Sequence, residues 1–172
     1  PRRASRRSST MTVISTTPDT STLTLTIVAD LAAPPARAWQ VWVDPRQLER
    51  WWGPPTWPAT FVQHDVVVDG RSSYYMTGPD GEKAHGWWRF LSIDEPRSLE
   101  FEDGFADEAG TPNPDMPTTH ARVDLHETSD GTRMTVTSRF ATLEQMEQLV
   151  AMGMVEGMTL AMGQIDDILA GV

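Results

Sequence analysis

The segment LERWWGPPTWP, residues 48–58, sets the tightest limits on how this chain folds. The consecutive prolines at 54 and 55 have no amide donors and hold the residues before them extended, so neither a helix nor a central strand can run through. A helix arriving from the N-terminal side must stop at Gly53, and a strand can begin only after Pro58. Tryptophans at 51, 52 and 57 bring large apolar surfaces to this change of course. Such a junction is either a plug in a core or the border of a binding site.

The segments on either side have different periods. TLTLTIVAD (22–30) alternates Thr with Leu and Ile, which predicts a strand with Leu23, Leu25 and Ile27 facing inward. In AAPPARAWQVWVD, prolines suited to a first turn precede Ala38, Trp39, Val41 and Trp42 at helical spacing, which predicts a helix over about 34–43. Asp44-Pro45 supplies a second N-cap and first-turn pair, and a short helix over about 45–51 follows. Beyond the junction the punctuation becomes GPDG, DEPRS and SDGT, the signature of antiparallel strands joined by turns. The strands are predicted at about 60–69, 72–77, 83–93, 98–103, 118–127 and 132–140. Their period of two puts Leu99 with Phe101, Ala121 with Val123 and Leu125, and Met134 with Val136, Ser138 and Phe140 on the inner face. Glu100, Glu102, Arg122 and Asp124 then form a solvated outer face.

Two later segments bear on function. The acidic, proline-bearing stretch 103–118 is long for an internal connection and is expected to be either a lid or disordered. From Thr142, which forms a capping box with Gln145, the pattern predicts one long helix over about 143–170, ended by Gly171. Its apolar stripe runs through Met146, Val150, Met154, Met158, Ala161, Ile165 and Ile168. Gly153, Gly157 and Gly163 each cost a helix roughly 1 kcal/mol relative to alanine, so close approach to the sheet or free volume above it should offset them. Methionines beside glycines suit a cavity for variable apolar ligands, although methionine also fills irregular gaps in an ordinary core.

At 172 residues the chain is expected to form one domain, 22–172, preceded by a disordered leader or tail over 1–21. Four of its fourteen basic residues fall in the first ten positions, which leaves a strongly acidic body that repels nucleic acid and anionic membranes. No apolar run is long enough for a membrane span, and no signal-type segment is present, so a cytoplasmic protein is expected. The absence of cysteine excludes disulfides, thiolate zinc sites and cysteine nucleophiles. There is no G-x-S-x-G elbow, H-E-x-x-H, P-loop or dinucleotide fingerprint, so neither a cofactor nor a metal is expected. His120 and His126 share parity with the outer face and are expected at the surface. His64, in phase with Val62, Val66 and Val68, is expected inside, as a satisfied core histidine or an acid–base group. Asp103 continues the inward parity of Leu99 and Phe101 and is the second weak catalytic candidate, although Asp103-Gly104 also reads as the start of a loop. Of the adjacent Trp87 and Trp88, continuity with Phe90 places Trp88 inside and Trp87 outside or under a loop.

One strand, two short helices, an antiparallel run and a final helix is the order of the α+β helix-grip fold, a curved sheet wrapped around its C-terminal helix. WVDPRQLERWWGP, TGPDGE, FLSIDEPRSLEF and MGMVEGMTLAMGQIDDIL resemble motifs of the START-like (SRPBCC) superfamily, in particular bacterial relatives of the heat-shock-protein ATPase activator homologues, over about residues 23–170. The resemblance implies a cavity between sheet and helix that takes a small hydrophobic molecule. The sheet would contribute His64, Tyr74, Met76, Trp88, Phe90 and Phe101, the helix Met154, Met158 and Met162, and the junction Trp52. Many such relatives carry Trp where this chain has Met158, a change that enlarges the cavity. The superfamily includes lipid carriers, hormone receptors and polyketide cyclases and has no common catalytic residue. A binding protein, a cyclase or hydrolase acting on a hydrophobic substrate, and a chaperone-associated regulator therefore all stand as readings, with a homodimer as a further expectation.

Overall fold

The computed structural model describes residues 13–172. The eight strands are β1 (Val13–Asp19), β2 (Thr24–Leu31), β3 (Ala59–His64), β4 (Arg71–Thr77), β5 (Lys83–Asp94), β6 (Ser98–Ala106), β7 (Thr119–Thr128) and β8 (Gly131–Arg139). They form one antiparallel sheet in the order β1-β2-β8-β7-β6-β5-β4-β3. Between β2 and β3 lie α1 (Pro35–Val43) and α2 (Pro45–Leu48); α3 (Leu143–Ala151), α4 (Met154–Met162) and α5 (Ile165–Leu169) follow β8. This is the helix-grip arrangement expected from the order of elements. Its core lies between the inner face of the sheet, where Leu25, Ile27, Phe101, Val123 and Val136 are buried, and the helices.

The junction is a plug first. Trp51 is fully enclosed, its ring meets Trp42 edge-on at 4.7 Å, and its indole N–H donates to the Val41 carbonyl at 2.8 Å. Asp44 caps α2 by accepting from the Arg46 amide at 2.9 Å. Gly53 then lets the chain fold back on itself: a Cβ there would lie 1.9 Å from the Trp57 carbonyl oxygen. The same turn anchors the last helices, because Gln164 Nε2 donates to the Gly53 carbonyl at 2.7 Å and Arg37 donates to the Ile168 carbonyl at 3.2 Å.

Several expectations are corrected. The part of the expected tail within the described residues is strand β1, paired with β2 from Val13↔Ala29 to Asp19↔Thr24. Its Ser and Thr are polar but its Val, Ile and Thr are β-branched, so backbone pairing at a sheet edge holds a segment with little to bury. The expected leader over 1–12 lies outside the described residues. Leu23 is not in the strand; it sits in the preceding turn with φ 56°.

The strand expected over 60–69 ends at His64. A register shift between Phe61 and Gln63 inverts the parity, so Val62 is 73% exposed while His64 turns inward beside Phe61. The valines that follow enter a turn that Asp69, at φ 63°, closes.

The stretch 103–118 is neither disordered nor a free lid. β6 continues to Ala106 against β5, Asp107 accepts from the amides of Ala109 and Thr111 at 2.9 Å, and Asn113 N–H donates to the Phe105 carbonyl at 2.8 Å. Side-chain capping of a turn satisfies backbone that a loop of this composition would otherwise leave to solvent.

The expected single helix is three. Gly153, at φ 89°, ends α3 in the left-handed conformation and leads into α4; near Gly163 the chain stays right-handed but the turn tightens. Within α3, Leu149 is buried where Val150 was expected.

Two glycines make opposite predictions. Gly53→Ala should destabilise by at least about 1–3 kcal/mol, because the clashing atom is backbone. Gly157 is helical and a Cβ there meets nothing within 4 Å, so Gly157→Ala should stabilise by about 0.5–1 kcal/mol. Thermal melts of the two variants against the parent would check both signs.

Candidate functional site

Gly157 meets nothing because it faces a cavity of about 510 Å³ between the sheet and α3–α4. The floor comes from the inner positions of β4, β6, β7 and β8, among them Tyr74, Phe101, Asp103, Thr119 and Ser138. The roof carries Leu149, Met154, Met158, Ala161 and Met162 around Gly157, and the junction closes one side with Trp42, Trp51, Trp52 and Trp57. Exposed Ala84 and Met152 mark the opening to solvent.

Of the residues expected in the cavity, Trp52, Tyr74, Met76, Phe101, Met154, Met158 and Met162 line it. Trp88, Phe90 and His64 do not, and lie in the core beneath the floor. Trp88 is fully buried and stacks on Phe101 at 4.0 Å between centroids, so the Phe101 ring separates it from the cavity. His64 packs edge-on to Phe61, Trp88 and Phe90. Its Nε2 is 2.9 Å from the Trp42 carbonyl and its Nδ1 2.7 Å from Ser72 Oγ. A carbonyl can only accept, so Nε2 carries the proton and Nδ1 accepts from the serine. Burial lowers the His64 pKa, and the ring is the neutral, satisfied core histidine rather than an acid–base group facing a ligand. Trp87, on the opposite face, packs over Gly104, where a Cβ would come within 2.7 Å of its indole.

Asp103 holds the position its parity indicated, inward on a strand, and not the start of a loop. The Tyr74 hydroxyl donates to Asp103 Oδ1 at 2.9 Å. Asp103 is partly buried and lines the cavity. Burial pushes its pKa up to about 7, against the Tyr74 hydroxyl, the Trp88 indole N–H and the Gly104 amide, all of which favour the anion. Tyr74 is held well above its ordinary range by burial and by the Asp103 charge. The indole N–H groups of Trp52 and Trp88 lack partners at full hydrogen-bond geometry; they act on Tyr74 and Asp103 as nearby dipoles.

Sequence reasoning did not assign Thr119, Ser138, Phe105 or Trp57 to the site. Thr119 and Ser138 both lie within the expected strands: Ser138 was placed on the inner face, and Thr119 continues the parity of Ala121 and Val123, so the inward period of two was the signal that pointed to them. Among the described residues no three His, Asp or Glu side chains come together as metal ligands.

The Asp103 carboxyl is harder to ionise in the folded chain than in the unfolded one. Its ionisation therefore costs stability progressively as pH rises from about 4 to about 7, and the cost is complete above that. Asp103→Asn keeps an acceptor for Tyr74 and removes the charge. The variant should melt roughly 5 °C or more above the parent at pH 8, with the gap closing towards pH 4.

No curated protein matches the chain. Among solved structures, a protein from Arthrobacter aurescens is 53% identical with a TM-score of 0.89, covering 94% of this chain and 94% of its own. A protein from Mycobacterium smegmatis is 48% identical with a TM-score of 0.86, covering 93% of this chain and 98% of its own. An AHSA1 protein from Silicibacter pomeroyi shares the fold at 20% identity, with a TM-score of 0.68 and coverage of 86% and 97%. The model of the family described as "Activator of Hsp90 ATPase homolog 1-like protein" matches residues 32–170, from the end of β2 through α5, and so takes in the junction, most of the sheet and the glycine-broken helix that together form the cavity. On that extent of agreement, the chain belongs to the activator of Hsp90 ATPase homolog 1-like family.

Proposed function

We propose that this chain binds a small, largely apolar molecule in the cavity between its sheet and α3–α4. One observation carries the reading: helix position 157, where a larger residue would be more stable, is glycine, and the space its missing side chain leaves belongs to a cavity with polar groups on its floor. A volume of about 510 Å³ falls within the roughly 300–1,000 Å³ of sites for drug-sized ligands. Tryptophan and methionine walls provide apolar area that adapts to shape, while Asp103, Tyr74, Thr119 and Ser138 are grouped on one wall and would orient a polar end.

A second reading, a cyclase or hydrolase on a hydrophobic substrate, is favoured by Asp103 alone. A carboxyl near neutrality in an apolar cavity can take or give a proton. With His64 committed to the core, that chemistry would rest on Asp103 and its Tyr74 partner.

Calorimetric titration with biphenyl-4-methanol, a neutral amphipathic probe, tests the binding reading. The parent should bind it, and Gly157→Leu, which fills the cavity from the roof, should abolish binding while melting no lower than the parent. Equal binding by parent and variant would show that the probe sits elsewhere and sink the reading.

A further inference from the structure

The chain supplies cations to its outer-face acids. Glu100 faces Arg122 and His120, Glu102 faces Arg89, and Asp30 faces Arg133. Asp103, the acid most removed from bulk water, has none: no lysine or arginine borders the cavity, and its one side-chain hydrogen bond is the neutral Tyr74 hydroxyl. A carboxylate enclosed without a counter-charge is unfavourable, and packing gives no reason to retain it where an apolar residue would fit.

Two further groups on the same floor are also incomplete. Ser138 is 2% and Thr119 8% exposed, both border the cavity, and neither hydroxyl meets a hydrogen-bond partner among the described residues. Thr119 lies directly across from Asp103 in the β6–β7 ladder, so their side chains are neighbours on the inner face. Ser138 is opposite Ala121, one inward position further along β7. The carboxylate and the two hydroxyl oxygens thus present acceptors to one region. Around them stand Tyr74, Phe101 and Trp52, whose π faces attract positive charge. The net charge of −10 adds a field that draws cations in and repels anions.

We infer that the natural ligand is a lipophilic amine, whose ammonium group completes the Asp103 carboxylate and donates to Thr119 and Ser138 while its apolar body lies against the methionine roof. This deepens the binding reading and rests on it. A fatty acid or other carboxylate would instead bring a second negative charge to Asp103 with no lysine or arginine lining the cavity to meet it. A neutral alcohol would fit the shape but leave the acid unpaired.

Three probes of one shape separate these cases: biphenyl-4-methylamine, biphenyl-4-methanol and biphenyl-4-carboxylate, titrated calorimetrically at pH 8. The amine should bind at least about tenfold tighter than the alcohol, and the carboxylate weakest. Asp103→Asn should erase the amine's advantage, bringing amine and alcohol within about threefold of each other. An alcohol that binds as tightly as the amine, a carboxylate that binds best, or an amine preference that survives Asp103→Asn would overturn the inference while the binding site itself stands. Failure of all three probes with the parent would overturn both.

Discussion

The close approach of Gly53 to the Trp57 carbonyl is the contact on which the rest of the architecture depends. It lets two short helices reverse into β3 within a few residues, and it presents the Gly53 carbonyl to Gln164, which ties the last helical turns to the same point. Trp51 fills the space behind that turn and Trp42 packs against it, so one aromatic contact joins α1 to the junction. Trp52, next in sequence, contributes to both regions: it packs on Trp88 at 4.7 Å and also borders the cavity. The junction is therefore both plug and border.

Beneath the cavity floor the aromatic core is closely packed. Trp88, Phe90, Phe61 and His64 meet edge-on or tilted, and the histidine's two nitrogens are both satisfied. Above the floor the packing stops, because α4 offers a glycine and flexible methionines where a bulky helix would close the gap. This division explains why the two titratable candidates separate. His64 lies below the Phe101 ring with both of its ring nitrogens partnered, whereas Asp103 lies at the floor's surface and lines the cavity.

Much of this was legible in the sequence because it follows from local rules. The period of two gave the inner faces of β6, β7 and β8, and Asp44-Pro45 gave a helix start that its side chain caps as expected. The prolines and glycine at 53–55 located the reversal. Asp103 was placed by parity as well, once the loop-like Asp-Gly pair is recognised as strand. Gly104 is in the sheet because Trp87 packs across it, a long-range contact that its sequence neighbourhood does not announce.

Tertiary structure decided what depended on a neighbour's position. Whether residues 13–19 formed a tail or a strand was settled by the free edge of β2, since backbone pairing needs no apolar pattern. A register shift in β3 brought His64 inward, against the simple alternation that had grouped it with exposed Val62. The left-handed Gly153 divided a continuous apolar pattern into separate helices, because periodicity reports which residues want burial but not where the axis bends. The separation of Trp88 and Phe90 from the cavity depended on one intervening ring, that of Phe101. Outside β3 and α3 the sequence by itself determined which residues face inward; which of those meet another side chain and which meet empty space was decided only by how far the helices stand from the sheet.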